Sequence, residues 1–337
     1  MMSEAQAPPA KRARTRTDLE TSAPITRSEI WHSDGSLVLQ AATTQFRVHW
    51  SVLSSHSSVF KDMHGIPQPA TPGPMVENCP LIQLHDDPQD VENVLRVLYD
   101  PTLLLLQKAP QFTLVASLVR MGRKYNFVNL WKVGVSLLEA EIPTSLAQFD
   151  ALRRNKLKTG IVDYPGLYMD ILTLVRDNQI YTLQPGAYYV VLKKYSKEEL
   201  LDGISRPDGI TSQLSPADLR QCLLSTEKIL KAQFQPGYAL SLLADIPAPM
   251  NLNCTSNCSS KNSCTELRLM ELKRSALSLV LIPPVFSEQI IAQTYRSFCQ
   301  YCRDEILLLR ANGRQKGWND LPGFFGLPPW DELKNDI

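Results

Sequence analysis

Residues 33–62 read SDGSLVLQAATTQFRVHWSVLSSHSSVFKD. Leu37, Leu39 and Ala41 alternate with Val38 and Gln40, the period of two that a strand imposes. Phe46 and Val48 alternate in the same way with Gln45, Arg47 and His49. Ala42-Thr43-Thr44 lies between the two runs as a hairpin turn. It lacks Asn-Gly turn chemistry, so the hairpin is read from the flanking alternation. A helix follows from His49, with Ser51 as its cap and Val52, Leu53, Val59 and Phe60 on its inner face.

Outward from this stretch the pattern continues. Residues 65–80, GIPQPATPGPMVENCP, hold five prolines and two glycines and read as a loop. Leu81-Ile82-Gln83-Leu84 is a third short strand. Val91, Val94, Leu95 and Leu98 then recur at helical spacing behind Pro88, which suits a first helical turn. Leu114, Leu118, Met121 and Tyr125 line a second helix. Phe127, Leu130, Trp131 and Leu138 line a third, which ends before Pro143.

Asp34, the apolar strand, Phe46, Val48, His49, Val52-Leu53, Ser57 and Phe60, in that order, resemble the opening of a BTB/POZ domain. Hairpin, helices, strand and helix pair follow the order of the BTB core, in which helices cap a small sheet. The resemblance spans about residues 30–142. It departs from the family at Trp50, where a Lys or Arg often follows the helix-starting His, and in the long proline loop. The fold class expected is α+β: a BTB/POZ domain at 28–142, then a mainly helical C-terminal domain at 143–337. Residues 1–27 are expected to form a disordered basic tail, since they lack the large apolar side chains that offset ordering entropy.

The C-terminal part is helical by pattern. Pro165 opens a helix with Leu167, Ile171 and Val175 inward, and Gln184-Pro185-Gly186 precedes an apolar run. Ser196 with Glu199, and Ser215 with Asp218, read as capping boxes. Residues 317–337, GWNDLPGFFGLPPWDELKNDI, are similar to a signature of a large group of fungal (basidiomycete) BTB proteins, Trp-x-x-Leu-Pro-x-x-Phe-Gly-Leu-Pro-x-Trp. Trp318, Leu321, Pro322, Phe325, Gly326, Leu327, Pro328 and Trp330 match it. Each aromatic buries roughly 150–250 Å² when packed, so this tail is expected to dock on the helical domain.

Hydrophobic content of 44% and charged content of 20% suit a core-forming protein. A net charge of +1 gives no global pull toward nucleic acid or an anionic membrane. No apolar run approaches the roughly 20 residues of a membrane span, and the first residues lack a signal-peptide core. These features place the chain in the nucleus or cytoplasm. Within the tail, Lys11, Arg12, Arg14 and Arg16 read as a nuclear-import patch, a nucleic-acid arm or a solvated basic segment.

Five of the seven cysteines fall in 49 residues: Cys254, Cys258, Cys264, Cys299 and Cys302. Zinc takes four nitrogen or sulfur ligands in a tetrahedron, and four of these five thiols could supply them. Alternatively, they pack as reduced thiols in a reducing compartment. Cys299 and Cys302 sit in a helix-like stretch, where i and i+3 share one face. No other cofactor is indicated. Phosphate-loop, dinucleotide-binding, nucleophile-elbow and HExxH motifs are absent. The five histidines are read as packing and capping residues.

The resemblance implies a non-catalytic interaction protein whose BTB domain self-associates as a homodimer or recruits protein partners. By analogy, Trp31 and Trp50 are its exposed contact positions, with Phe60 assigned to the core. Two alternatives stand beside this. One is a nuclear regulator delivered by the basic arm. The other is an adaptor for a cullin-type ubiquitin ligase, for which Leu84-His85-Asp86 is a formal hydrophobic-x-acidic match. The near-neutral charge argues against nucleic acid as a partner.

Overall fold

The computed structural model describes residues 24–66, 73–106, 109–154, 160–239, 257–277 and 297–337. The basic stretch 11–16 and Cys254 lie outside these residues.

The domain starts with a five-stranded sheet. Its strands are β1 (Thr26–Trp31), β2 (Leu37–Ala41), β3 (Thr44–Val48), β4 (Met75–Val76) and β5 (Cys79–Leu84), in the order β1-β3-β2-β5-β4. β2 and β3 form the expected antiparallel hairpin, pairing Leu37 with Val48 and Ala41 with Thr44. β5 returns parallel to β2, and β1 runs parallel to β3 at the sheet edge. Thr26 and Arg27, expected in the tail, thus belong to β1.

Leu37, Leu39, Phe46 and Val48 pack against Leu53 and Phe60 from α1 (Trp50–His56) and α2 (Ser58–Gly65). The expected single helix is therefore two. Ser51 lies inside α1, and His49 occupies its N-cap without a side-chain cap bond. Ser57 breaks the run instead. Its hydroxyl accepts from the Phe60 N–H and donates to the Tyr125 carbonyl, 68 residues away.

α3 (Pro88–Tyr99), the short α4 (Thr102–Leu106), α5 (Phe112–Lys124) and α6 (Val128–Glu139) close over the sheet. Asp87 caps α3 and Pro88 occupies its first turn. Asp90 ties α3 to α5: its carboxylate accepts two bonds from Arg120, both 2.7 Å, and one from Ser117 at 2.8 Å. α5 and α6 meet closely at Gly122, where a Cβ would lie 2.8–2.9 Å from the Trp131 backbone and Cβ.

The C-terminal part is helical: α7 (Leu146–Arg154), α8 (Leu167–Asp177), α9 (Gln184–Lys194), α10 (Lys197–Asp202), α11 (Pro216–Ala232), α12 (Lys261–Leu277), α13 (Gln300–Asn319) and α14 (Leu321–Phe324). A two-stranded ribbon, β6 (Ile204–Ser205) with β7 (Thr211–Ser212), lies before α11. Ser196 and Glu199 complete a reciprocal capping box on α10. At α11 only half the expected box forms. Ser215 accepts from the Asp218 N–H, while the Asp218 carboxylate turns inward to Arg176 and Tyr188.

Two cores meet at α5. Leu118 and Met121 face the sheet, whereas Val115, Ala116 and Val119 join Trp131, Val135 and Leu138 in the C-terminal core. That core also takes in Trp318, Leu321 and Phe325, so the aromatic tail docks on it. No helix among the described residues is long and apolar enough to cross a membrane.

Candidate interaction surface and thiol cluster

Among the described residues β1 is an edge strand, and all six of its residues are exposed or half-buried. Its pairing with β3 is interrupted between Arg27 and Trp31. Ile25, just before it, is 58% exposed. The Arg27 guanidinium sits 4.4 Å above the half-buried Trp31 ring and reaches Glu77, which also holds Arg47. Trp31 therefore presents one face already covered by a cation.

Trp50 is half-buried. Its ring lies 4.9 Å from that of His64, and its edge packs on the sheet core. The Trp50 backbone N–H donates to Ser36 Oγ at 3.1 Å. Phe60 is fully in the core, stacked on Tyr125. His49 bonds the Tyr99 hydroxyl through Nδ1 at 2.8 Å and approaches Asp34 at 3.3 Å, and His32 stacks on Tyr99. The Asp34 carboxyl lies below its ordinary range, held there first by its own backbone N–H and then by His49. These histidines do the packing work expected of them.

Asp86, the acidic member of Leu84-His85-Asp86, faces inward. It accepts from Lys124 Nζ and from the Tyr125 hydroxyl, both at 2.6 Å.

The second site lies at the starts of α12 and α13. Cys258 precedes α12 and Cys264 sits in its first turn. Cys299 is the N-cap of α13 and Cys302 lies in its first turn. The helix begins only at Gln300, so Cys299 and Cys302 meet across its start rather than along its body. The four Sγ atoms lie within 4.8 Å of one another, with Cys258 Sγ and Cys299 Sγ 3.6 Å apart. The Cys299 N–H donates to Cys264 Sγ at 3.4 Å. Cys258, Cys264 and Cys302 are buried and Cys299 is half-buried.

The Cys299 thiol is pulled down to about 6, chiefly by the backbone N–H of Cys302 close to its sulfur. A thiol at a helix start is acidified in this way. By contrast, Cys222 sits in the C-terminal core and burial pushes its thiol up to about 12. Among the described residues, Phe298 and Ile306 are the fully buried large apolar side chains around the cluster, with Leu267 half-buried. Arg268 bridges to Glu305 at 3.2 Å, a second tie between α12 and α13.

Residues 27–140 match the family model of the BTB/POZ domain. The sheet, its capping helices and this match together define the class: the chain carries a BTB/POZ domain, a protein–protein interaction module, followed by a helical C-terminal region. No curated protein matches the chain.

Proposed function

We propose that this is a non-catalytic interaction protein that self-associates through its BTB/POZ domain, using β1 and the adjoining start of α1. The observation that carries this reading is the open edge of β1, flanked by the exposed Ile25 and by Trp31 and Trp50. An edge strand offers a row of backbone donors and acceptors to another chain. β1 is short, at six residues, and its register is interrupted. It suits a closed two-fold contact, in which the same patch serves both copies.

Light scattering on the full chain at micromolar concentration tests this. The expected mass is twice the 37.9 kDa of one chain. The double variant Ile25→Asp, Trp31→Ala should run as a monomer with unchanged far-ultraviolet dichroism, its thermal transition lowered only by the loss of the dimer. A wild-type monomer overturns self-association, and a dimer untouched by the double variant overturns the β1 face. The proposal does not extend to a cullin scaffold, because the Asp86 carboxylate is already engaged by Lys124 and Tyr125. Import through Lys11, Arg12, Arg14 and Arg16 rests on the sequence alone.

A further inference from the structure

We propose that Cys258, Cys264, Cys299 and Cys302 hold one structural zinc ion, which fastens the start of α12 to the start of α13. With Zn–S bonds of about 2.3 Å, the sulfurs of a tetrahedral site stand about 3.8 Å apart. The observed 3.6 Å pair and the 4.8 Å outer limit bracket that edge. Closing on an ion would require movements of only about 1 Å. A two- or four-iron cluster spreads its thiolates around several metal atoms, so this compact set fits a single ion. An all-thiolate tetrahedral set favours zinc over harder cations.

The surroundings suit the charge. Four thiolates around Zn²⁺ leave a net charge of −2. The N-termini of α12, with 17 residues, and α13, with 20, both meet at the cluster. Each brings the partial positive charge of a helix start. The Cys299 N–H bonds Cys264 Sγ, the outer-shell contact that orients a thiolate ligand.

The fold has a use for such an ion. The far half of α13 is fixed to the main core by Trp318 and by the Arg314–Asp150 pair. Its near half carries the exposed Leu307, Leu308 and Leu309 and reaches the cluster through Cys302 and Ile306. Among the described residues, Phe298 and Ile306 are the fully buried large apolar side chains of this cluster, and four metal–sulfur bonds would add to their hold on α12.

The test uses the full chain purified without chelator, with zinc measured in the same peak as protein. One equivalent per chain is expected. Replacement by Co²⁺ should give the intense visible bands and thiolate charge transfer of a tetrahedral sulfur site. Cys302→Ser should fall well below one equivalent, while Cys254→Ser and Cys222→Ser keep one. If Cys302→Ser does not fold, the wild-type cobalt spectrum and the Cys254→Ser stoichiometry still decide. A metal-free wild type with reduced thiols overturns the site, as does a disulfide found by intact mass. Zinc lost from Cys254→Ser overturns the ligand set. None of these readouts depends on the oligomeric state, so the site stands or falls apart from the β1 contact.

Discussion

Ala42 sits at the turn of the β2–β3 hairpin with φ +45°, in the left-handed region that glycine and asparagine favour. The left-handed conformation costs a residue with a Cβ roughly 1–2 kcal/mol. Ala42 is exposed and its Cβ contributes nothing to the core. Ala42→Gly is therefore expected to stabilise the fold by about 0.5–1 kcal/mol, less than the full strain because glycine also frees the unfolded chain. A higher urea midpoint at an unchanged slope would show this, and a lower midpoint would refute it. Asp218 is the opposite case. One buried carboxylate accepts from Arg176 Nε at 2.9 Å, from the Tyr188 hydroxyl at 2.5 Å and from Ser215 at 2.7 Å. Asp218→Ala leaves a buried hydroxyl and a guanidinium without their acceptor and should cost about 3 kcal/mol. Tyr188→Phe removes one donor from a carboxylate that keeps two others and should cost about 1 kcal/mol. Equal losses for the two variants would mean that Asp218 is not the hub of the group.

At the scale of elements, the aromatic tail is the clearest case of sequence announcing structure. Trp318 and Trp330 stack with ring centres 5.8 Å apart and planes 5° from parallel. Trp330 Nε1 donates to the Trp318 carbonyl at 2.8 Å, and Phe325 stacks on Tyr188 at 4.9 Å. Trp330 is half-buried, so Trp330→Ala should cost about 2 kcal/mol, below the 3–5 kcal/mol of a fully buried aromatic. Near-ultraviolet dichroism should lose the signal of the stacked pair, and no change in either readout would refute the docking. Periodicity made β2, β3, α3, α5 and α6 legible, because each carries one apolar face at its own spacing. The split between α1 and α2 was not legible. Ser51, Ser54, Ser55, Ser57 and Ser58 are equivalent locally, and the Tyr125 carbonyl that selects Ser57 is 68 residues distant. The cysteine spacing pointed to a cluster. Which thiols converge depends on where α13 starts and on how α12 lies against it, and neither is a local property. Asp218 was legible as half of a cap. Its inward turn needed Arg176 and Tyr188 from two other helices.

At the scale of the whole molecule, buried and half-buried tyrosines donating to carboxylates recur across element boundaries. Tyr125 donates to Asp86, Tyr168 to Glu141, Tyr188 to Asp218 and Tyr238 to Asp320, while Tyr164 donates to Asp170 beside it in sequence. Burial first, and then the carboxylate, raises the pKa of each of these five phenols above the ordinary range. Tyr195 is pushed up to about 12, mainly by burial. A raised folded pKa means that the native state holds the proton more tightly than the unfolded chain. Below the unfolded tyrosine pKa of about 10 both states are protonated and this stability is fully present. As pH rises from there through the folded values, the unfolded chain ionises first and the stability is lost. For Tyr195 alone, a shift from about 10 to about 12 corresponds to roughly 2–3 kcal/mol. Because α5 belongs to both cores, loosening the C-terminal helices should also unseat the BTB sheet, giving one cooperative loss. Urea midpoints are therefore expected to change little between about pH 7 and 9 on account of these groups, and to fall steeply above about pH 10 with sheet and helix signals moving together. Tyr188→Phe, which cannot ionise, should make that fall shallower. A midpoint that holds steady through about pH 11, or a BTB sheet that outlasts the helices, would show that these phenols do not stitch the molecule together.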